Sequence, residues 1–427
     1  MRRYFLGTFS IKKALKNTGY VTTEMELWYQ TEYTDRHKDK MTVDYLLPEG
    51  EQTDLANSYD YNWYDFKNTL LGGYSISSGG HQLMKVRAGA VSEKSTDCEL
   101  FPVSTGTDNF FITPFIQLNS TPPIRKDKLM ISYTLQGTPP ANESMRKRVN
   151  NLNPLRLTMG NPELKTTVKH TLGINYFPHI LPGGASFAFQ YLLVFNQNPI
   201  VSKLNFYPTS SIINAWGVDY DIPAGGTLTE FVNARYSLTS DLMARFSCRI
   251  KSLKGTLNSE ISFNYRKLPE YDAETLNYMT GTSPGINLSL TMMPVKWLRL
   301  NLSSNTSYNM NVNTFKDVLS ESVVEICSAN AELQFLENAF CNVRYTATVY
   351  NYLCGWGTDT DIQNLTCSIG SFLYKGKLAI SISGSDLLGK AFNYSTSTTG
   401  SEFIRYADAS LGRYCLLNIA YRFSKKH

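Results

Sequence analysis

Charge is in short supply. Asp, Glu, Lys and Arg make up 18% of the 427 residues, against about 25% in an average soluble chain. Long apolar runs are missing too. No stretch approaches the ~18 consecutive apolar residues of a membrane-crossing helix, and mean hydropathy is −0.25. A helical membrane protein is therefore excluded. A transmembrane β-barrel is not, because its spans hide their apolar residues behind alternating polar ones. The 41 Lys and Arg against 36 Asp and Glu leave +5 with no block of like charge, which removes nucleic acid from the expected partners. The seven cysteines are scattered without a C-x-x-C pair, and the histidines His37, His81, His170, His179 and His427 lie far apart without metal-ligand spacing. Neither G-x-S-x-G nor a P-loop occurs. No cofactor, metal site or catalytic set is expected, and the chain reads as a non-enzyme. Met1 to Ser10 has no sustained apolar core or small-residue cleavage site, so no signal peptide is expected in this sequence.

Aromatics are plentiful, at 13%, and they fall in a pattern of period two. Phe187, Phe189, Tyr191, Leu193 and Phe195 share one register; Leu242, Ala244, Phe246, Cys248 and Ile250 alternate with Met243, Arg245, Ser247, Arg249 and Lys251. Val168, Leu172, Ile174 and Tyr176 alternate with Lys169, Thr171, Gly173 and Asn175, with His170 in the apolar register. A helix would scramble these sets, whereas a strand keeps each on one face. Cys248, Cys327, Cys341, Cys367 and Cys415 fall in apolar registers and read as small hydrophobes.

The pattern predicts about sixteen strands, starting near Tyr20, Tyr61, Gln82, Phe110, Lys128, Thr166, Ser186, Leu228, Leu242, Gly285, Trp297, Val323, Phe340, Ile362, Lys377 and Arg413. Each is close to the ~9–11 residues that cross a bilayer at a tilt. Short connections are expected at 77–80, 239–241, 293–296, 336–339 and 374–376, and long ones at 34–60, 92–108, 137–165, 197–226, 253–284, 310–322, 352–361 and 388–412. Outer-membrane barrels have this asymmetry, with short turns in the periplasm and long loops outside. Phased from the C-terminus, Lys12 to Gly19 becomes a periplasmic turn and Tyr4 to Ser10 the tail of a descending strand. The fold class is thus an all-β, transmembrane, antiparallel up-and-down barrel. It is expected to be one domain over residues 1–427, N-terminally incomplete and without a plug.

Two segments carry a resemblance. Asn153-Pro154-Leu155 followed by Gly160-Asn161-Pro162-Glu163-Leu164-Lys165 resembles the NPL…GNP-x-LK signature of outer-membrane β-barrel proteins related to TonB-dependent receptors. Ser385-Asp386-Leu387-Leu388-Gly389-Lys390, Gly412-Arg413-Tyr414 and the terminal Tyr421-Arg422-Phe423 are similar to that family's closing strands. Thr166 stands where the family usually has proline. The resemblance implies part of a 22-stranded receptor barrel, an importer of a large or scarce solute, with TonB as a partner through an N-terminal region absent from this sequence. Read physically, Gly160-Asn161-Pro162 is a turn that stops a long loop. The alternating Leu417, Ile419, Tyr421 and Phe423 resemble the signal read by the barrel-assembly machinery; a plain lipid-facing last strand would look the same.

Lumen-facing charges are expected at Glu24, Glu26, Lys85, Arg87, Lys169, Arg235, Arg245, Arg249, Lys251, Arg299, Glu332 and Arg344. Of these Arg235, Arg245, Arg249, Lys251, Arg299 and Arg344 are candidate solute contacts, giving a mildly cationic lumen. The expected surroundings are outer-membrane lipid and an unknown solute. Two other functions suit the same pattern. One is a passive porin-like channel with mild anion preference, and the other is a surface protein that binds through its loops.

Overall fold

The computed structural model describes every residue except 1, 18–19, 41–42, 47–49, 54–58, 80, 102–104, 125–126, 152, 180–183, 273, 314–317, 336–337, 355–358, 375–376, 391, 400–401, 410–411 and 423–427. No helix among the described residues is long and apolar enough to cross a membrane, which has no bearing on crossing by strands. Seventeen strands form a meander: β1 (Arg2–Asn17), β2 (Val21–Lys40), β3 (Tyr59–Ser78), β4 (His81–Phe101), β5 (Thr105–Ser120), β6 (Asp127–Thr138), β7 (Thr167–Phe177), β8 (Ser186–Gln197), β9 (Tyr236–Ile250), β10 (Gly255–Asp272), β11 (Thr275–Val295), β12 (Leu298–Asn313), β13 (Val318–Gln334), β14 (Ala339–Cys354), β15 (Thr360–Leu373), β16 (Leu378–Ser385) and β17 (Tyr414–Tyr421). Each pairs antiparallel with the next. Five short strands at the margins bring the sheet to 22, and no pairing joins β1 to β17 among the described residues.

Directly paired residues in an antiparallel ladder point to the same face, so one register can be followed across the meander. Phe5, Tyr33, Phe66, Lys94 and Phe110 begin it at one end. Ile174, Tyr191, Leu242, Phe263 and Pro284 continue it in the middle, and Ile369, Ile382 and Leu417 finish it. This face is apolar yet open: Phe5 is 61% exposed, Ile261 54% and Leu417 64%. The opposite face carries Glu26, Gly73 and Arg87 in one row and Arg245, Glu260, Asn287 and Asn305 in another. All five cysteines placed in apolar registers by the sequence lie on the apolar face.

The structure corrects the expected elements at several places; 92–108 and 310–322 are mostly strand, since β4 runs to Phe101, β5 starts at Thr105, β12 runs to Asn313 and β13 starts at Val318. Thr239 to Asp241 is not a turn but the middle of β9, paired with Leu192 to Val194. The stretch 253–284 is not a long loop: it holds β10 and the start of β11, and the turn at 251–254 lies on the short-connection side. The segment at Leu228 is the short strand Gly226–Asn233 of a loop layer rather than a span. Tyr4 to Ser10 continues through Asn17 as β1, so most of the expected turn at 12–19 is strand. The count is therefore seventeen in place of sixteen. β2, β3 and β4, of 20, 20 and 21 residues, overrun a bilayer's ~9–11 on the long-connection side.

Sidedness now has a direct test. In a cysteine-free background, Ile212→Cys, 69% exposed in a long connection, should react with an impermeant thiol reagent on intact cells. Leu253→Cys, in the turn at 251–254, should stay unlabelled. Labelling of Leu253→Cys alone would invert the orientation.

Candidate functional site

The long connections between β6 and β7 and between β8 and β9 fold together into a layer at one end of the sheet. Strand Arg156–Met159 pairs parallel with Gly226–Asn233, which pairs antiparallel with Ile200–Tyr207. The hairpin Ser211–Ala215 and Val218–Ile222 packs beside them. Val149, Leu157, Ala215, Ile222 and Leu228 form its buried core, at 0, 1, 7, 1 and 3% exposure.

The family-like motif builds this layer. Asn153 Oδ1 accepts the Leu155 amide at 3.0 Å in a local turn, and Pro154 sits in that turn. A Cβ on Gly160 would lie 2.1 Å from the Arg146 carbonyl oxygen, so only glycine fits there. Asn161 Nδ2 donates to the Phe231 carbonyl at 2.9 Å, and its Oδ1 accepts the Glu163 amide at 2.9 Å. Pro162 follows in the turn, and Leu164 is buried at 5%. Asn233 accepts the Lys165 amide at 2.6 Å and donates to the Lys165 and Asn198 carbonyls at 3.0 Å each. The motif is thus a clamp between two connections and more than the loop stop its turn chemistry suggests. Lys203 adds an ionic tie to Glu274 and, at 3.3 Å, to Glu230. Partial burial pulls its pKa down, but the two carboxylates outweigh this and hold it above the ordinary lysine value.

The same connection turns inward over the polar face. Pro139 and Pro140 end β6, since neither can donate to a ladder, and the single-turn helix Asn142–Met145 follows. Asn142 donates to Ser95 Oγ, which donates to Asp65 Oδ1 at 2.7 Å. Below it lies a cavity of about 580 Å³ lined by Arg36, Trp63, Lys67, Glu93, Asn142 and Arg146, among others. The Arg36 guanidinium sits 5.5 Å from the Trp63 ring centroid, a cation–π distance. An aromatic ring amid charges of both signs suits a polar solute with a flat or sugar-like face. Arg36 and Glu93 were hidden in sequence because 34–60 and 92–108 read as loops. The signal was present: Glu24, Glu26, Trp28, Gln30, Glu32, Thr34 and Arg36 keep period two past the expected strand end.

The six basic candidates do not converge. Arg245 and Arg249 lie on the polar face of β9 towards its short turn, and Lys251 is in that turn. Arg299 and Arg344 share the face on β12 and β14, while Arg235 sits beyond the opposite end of β9, in the long connection. Arg245 pairs with Glu260 at 2.5 Å and Arg299 lies 3.9 Å from Glu332. Glu26 holds Lys85 at 3.0 Å and Arg87 at 3.1 Å across Gly73, whose missing side chain opens the path. Glu32, Asp65, Glu93, Asp241 and Glu260 face the same side, so the field over the polar face is more balanced than the sequence selection implied. Leu417, Ile419 and Tyr421 lie exposed on the apolar face of β17, 51–64% open; Phe423 is outside the described residues. Asp359 Oδ1 accepts the Tyr352 amide at 2.7 Å, which gives this loop acid a structural task.

No family model matches the sequence, and no curated protein matches it either. Among solved structures, the chain is similar to outer-membrane expressed OmpT of Vibrio cholerae, at 11% identity over 84% of this chain and 99% of that one, with a TM-score of 0.29. For the in-vitro folded form of OmpT, an outer membrane protein of Vibrio cholerae, the values are 10%, 84%, 98% and 0.23. Overlap this loose carries no weight, and the fold rests on the strand pairing itself.

Proposed function

We propose that this chain is barrel wall of an outer-membrane importer resembling TonB-dependent receptors. The observation that carries the membrane reading is the continuity of the two faces. One register is predominantly apolar and exposed across the seventeen strands, and the other is predominantly polar. In water such an apolar face would be a very large exposed patch; in a bilayer it is the lipid contact and the polar face lines a lumen. The importer reading rests on the family-like motif and on what it builds, a folded outer layer leading to a cavity above the polar face. A polar solute would be captured there and would pass along the polar face. Release would be driven by the coupling parts that the resemblance implies.

The decisive experiment is uptake by cells producing the full-length protein from its native gene. Uptake should collapse when a protonophore discharges the proton-motive force. Persistent uptake under protonophore would replace the importer with the passive channel.

A further inference from the structure

We propose that Lys267 and Arg235 form a binding site for the phosphate of an outer-leaflet lipid headgroup. The inference rests on the membrane reading above and adds a lipid ligand to it. In the outward register, β10 runs through Leu257, Ile261 and Phe263, then Tyr265, then Lys267. The register passes from hydrocarbon to amphipathic ring to cation near the long-connection end, the sequence of polarity met on leaving a bilayer core for its headgroups.

Neighbouring strands continue that level. Tyr133 Oη and His170 Nδ1 are 2.8 Å apart, and ring centroids then step from His170 to Phe195 at 5.8 Å, to Tyr236 at 6.0 Å and to Tyr278 at 4.9 Å. Lys267 Nζ lies 5.4 Å from the Tyr236 ring centroid and 4.9 Å from that of Tyr278. The two rings fix the ammonium in place without neutralising it. Arg235 immediately precedes Tyr236 and is exposed at the same rim.

Several other cations have a carboxylate partner that this pair lacks. Lys94, in the outward register of β4, is matched by Asp108 at 3.0 Å. Lys85, Arg87, Lys203, Arg245 and Arg299 all have acidic partners as well. Among the described residues Lys267 and Arg235 have none. A cation held on an apolar face takes its counter-ion from outside the protein, and on a lipid-facing surface the abundant anion is a headgroup phosphate. Tyrosine hydroxyls at the rim can donate to its remaining oxygens.

The test uses the full-length protein in zwitterionic detergent, offered phosphatidic acid, phosphatidylcholine or inorganic phosphate in separate arms, with bound lipid counted by native mass spectrometry. Phosphatidic acid should be retained over phosphatidylcholine. Lys267→Gln with Arg235→Gln should lower that retention about tenfold, while Lys267→Arg should preserve it. Heat-modifiable migration in gels confirms folding of each variant. Unchanged retention in a folded double variant would overturn the site, as would complete displacement of the lipid by equimolar inorganic phosphate. A protein that binds neither lipid and stays monodisperse without detergent would instead bring down the membrane reading itself.

Discussion

Ile261→Arg should prevent assembly of the folded sheet in the membrane, while Ser262→Arg, one residue along, should be tolerated. Ile261 pairs with Ala244 and Ile286 in the outward register of β10 and is 54% exposed despite being apolar. In lipid that exposure means contact with acyl chains, and an arginine near the midplane costs about 2–4 kcal/mol. Ser262 pairs with Met243 and Gly285 on the polar face, where a guanidinium keeps its water. The measurement is the fraction of each variant recovered from outer membranes in a heat-modifiable form. Equal recovery of the two variants would show that the faces are not distinguished by solvent, and the barrel reading would fall. A soluble protein would give a smaller effect of either sign, because both side chains would then meet water.

The second large effect is expected in the outer layer. Leu157 is 1% exposed and packs in a core of few side chains, with Val149, Ala215, Ile222 and Leu228. Leu157→Ala should destabilise that layer by about 2–5 kcal/mol, the usual range for a cavity left in a core. The spanning strands contribute no side chain to this cluster, so the damage should stay local. Limited proteolysis should cut 139–166 and 198–235 far faster than in the parent protein, with the gel migration of the folded sheet unchanged. Unaltered cleavage would show that the layer is held by its ladders and clamps rather than by its core.

The comparison of sequence with structure has a physical pattern. Period two was legible wherever both faces were distinct over four or more pairs, as from Leu242 to Lys251. It failed where one polar residue broke the apolar register. Ser240 is such a break, and beside Thr239 and Asp241 it imitates a turn, although Asn264 reaches across to bond Asp241 within the ladder. β10 was lost in the same way, since Ser259 interrupts Leu257 and Ile261 and Pro269 suggests a loop. Gly226–Asn233 failed for a different reason. Its amphipathic pattern is real, but its buried side packs on Val149 and Ile222, and its parallel partner lies some seventy residues away. Nothing local separates that burial from contact with lipid. The motif residues were found by their turn chemistry, but their clamp role depends on Phe231, Asn233 and Asn198, which no spacing rule connects to them.

The direction of the terminal strands limits how such a wall can become a tube. With seventeen strands alternating in sense, β1 and β17 both run from the long-connection side to the short one. Joined directly, they would make the single parallel seam in an otherwise antiparallel ring, with slanted hydrogen bonds and slightly weaker pairing per residue. A seam of uniform sense needs an odd number of further strands, from another stretch of polypeptide or from another chain. Every intact hairpin added brings two strands, so added hairpins alone always leave one strand over.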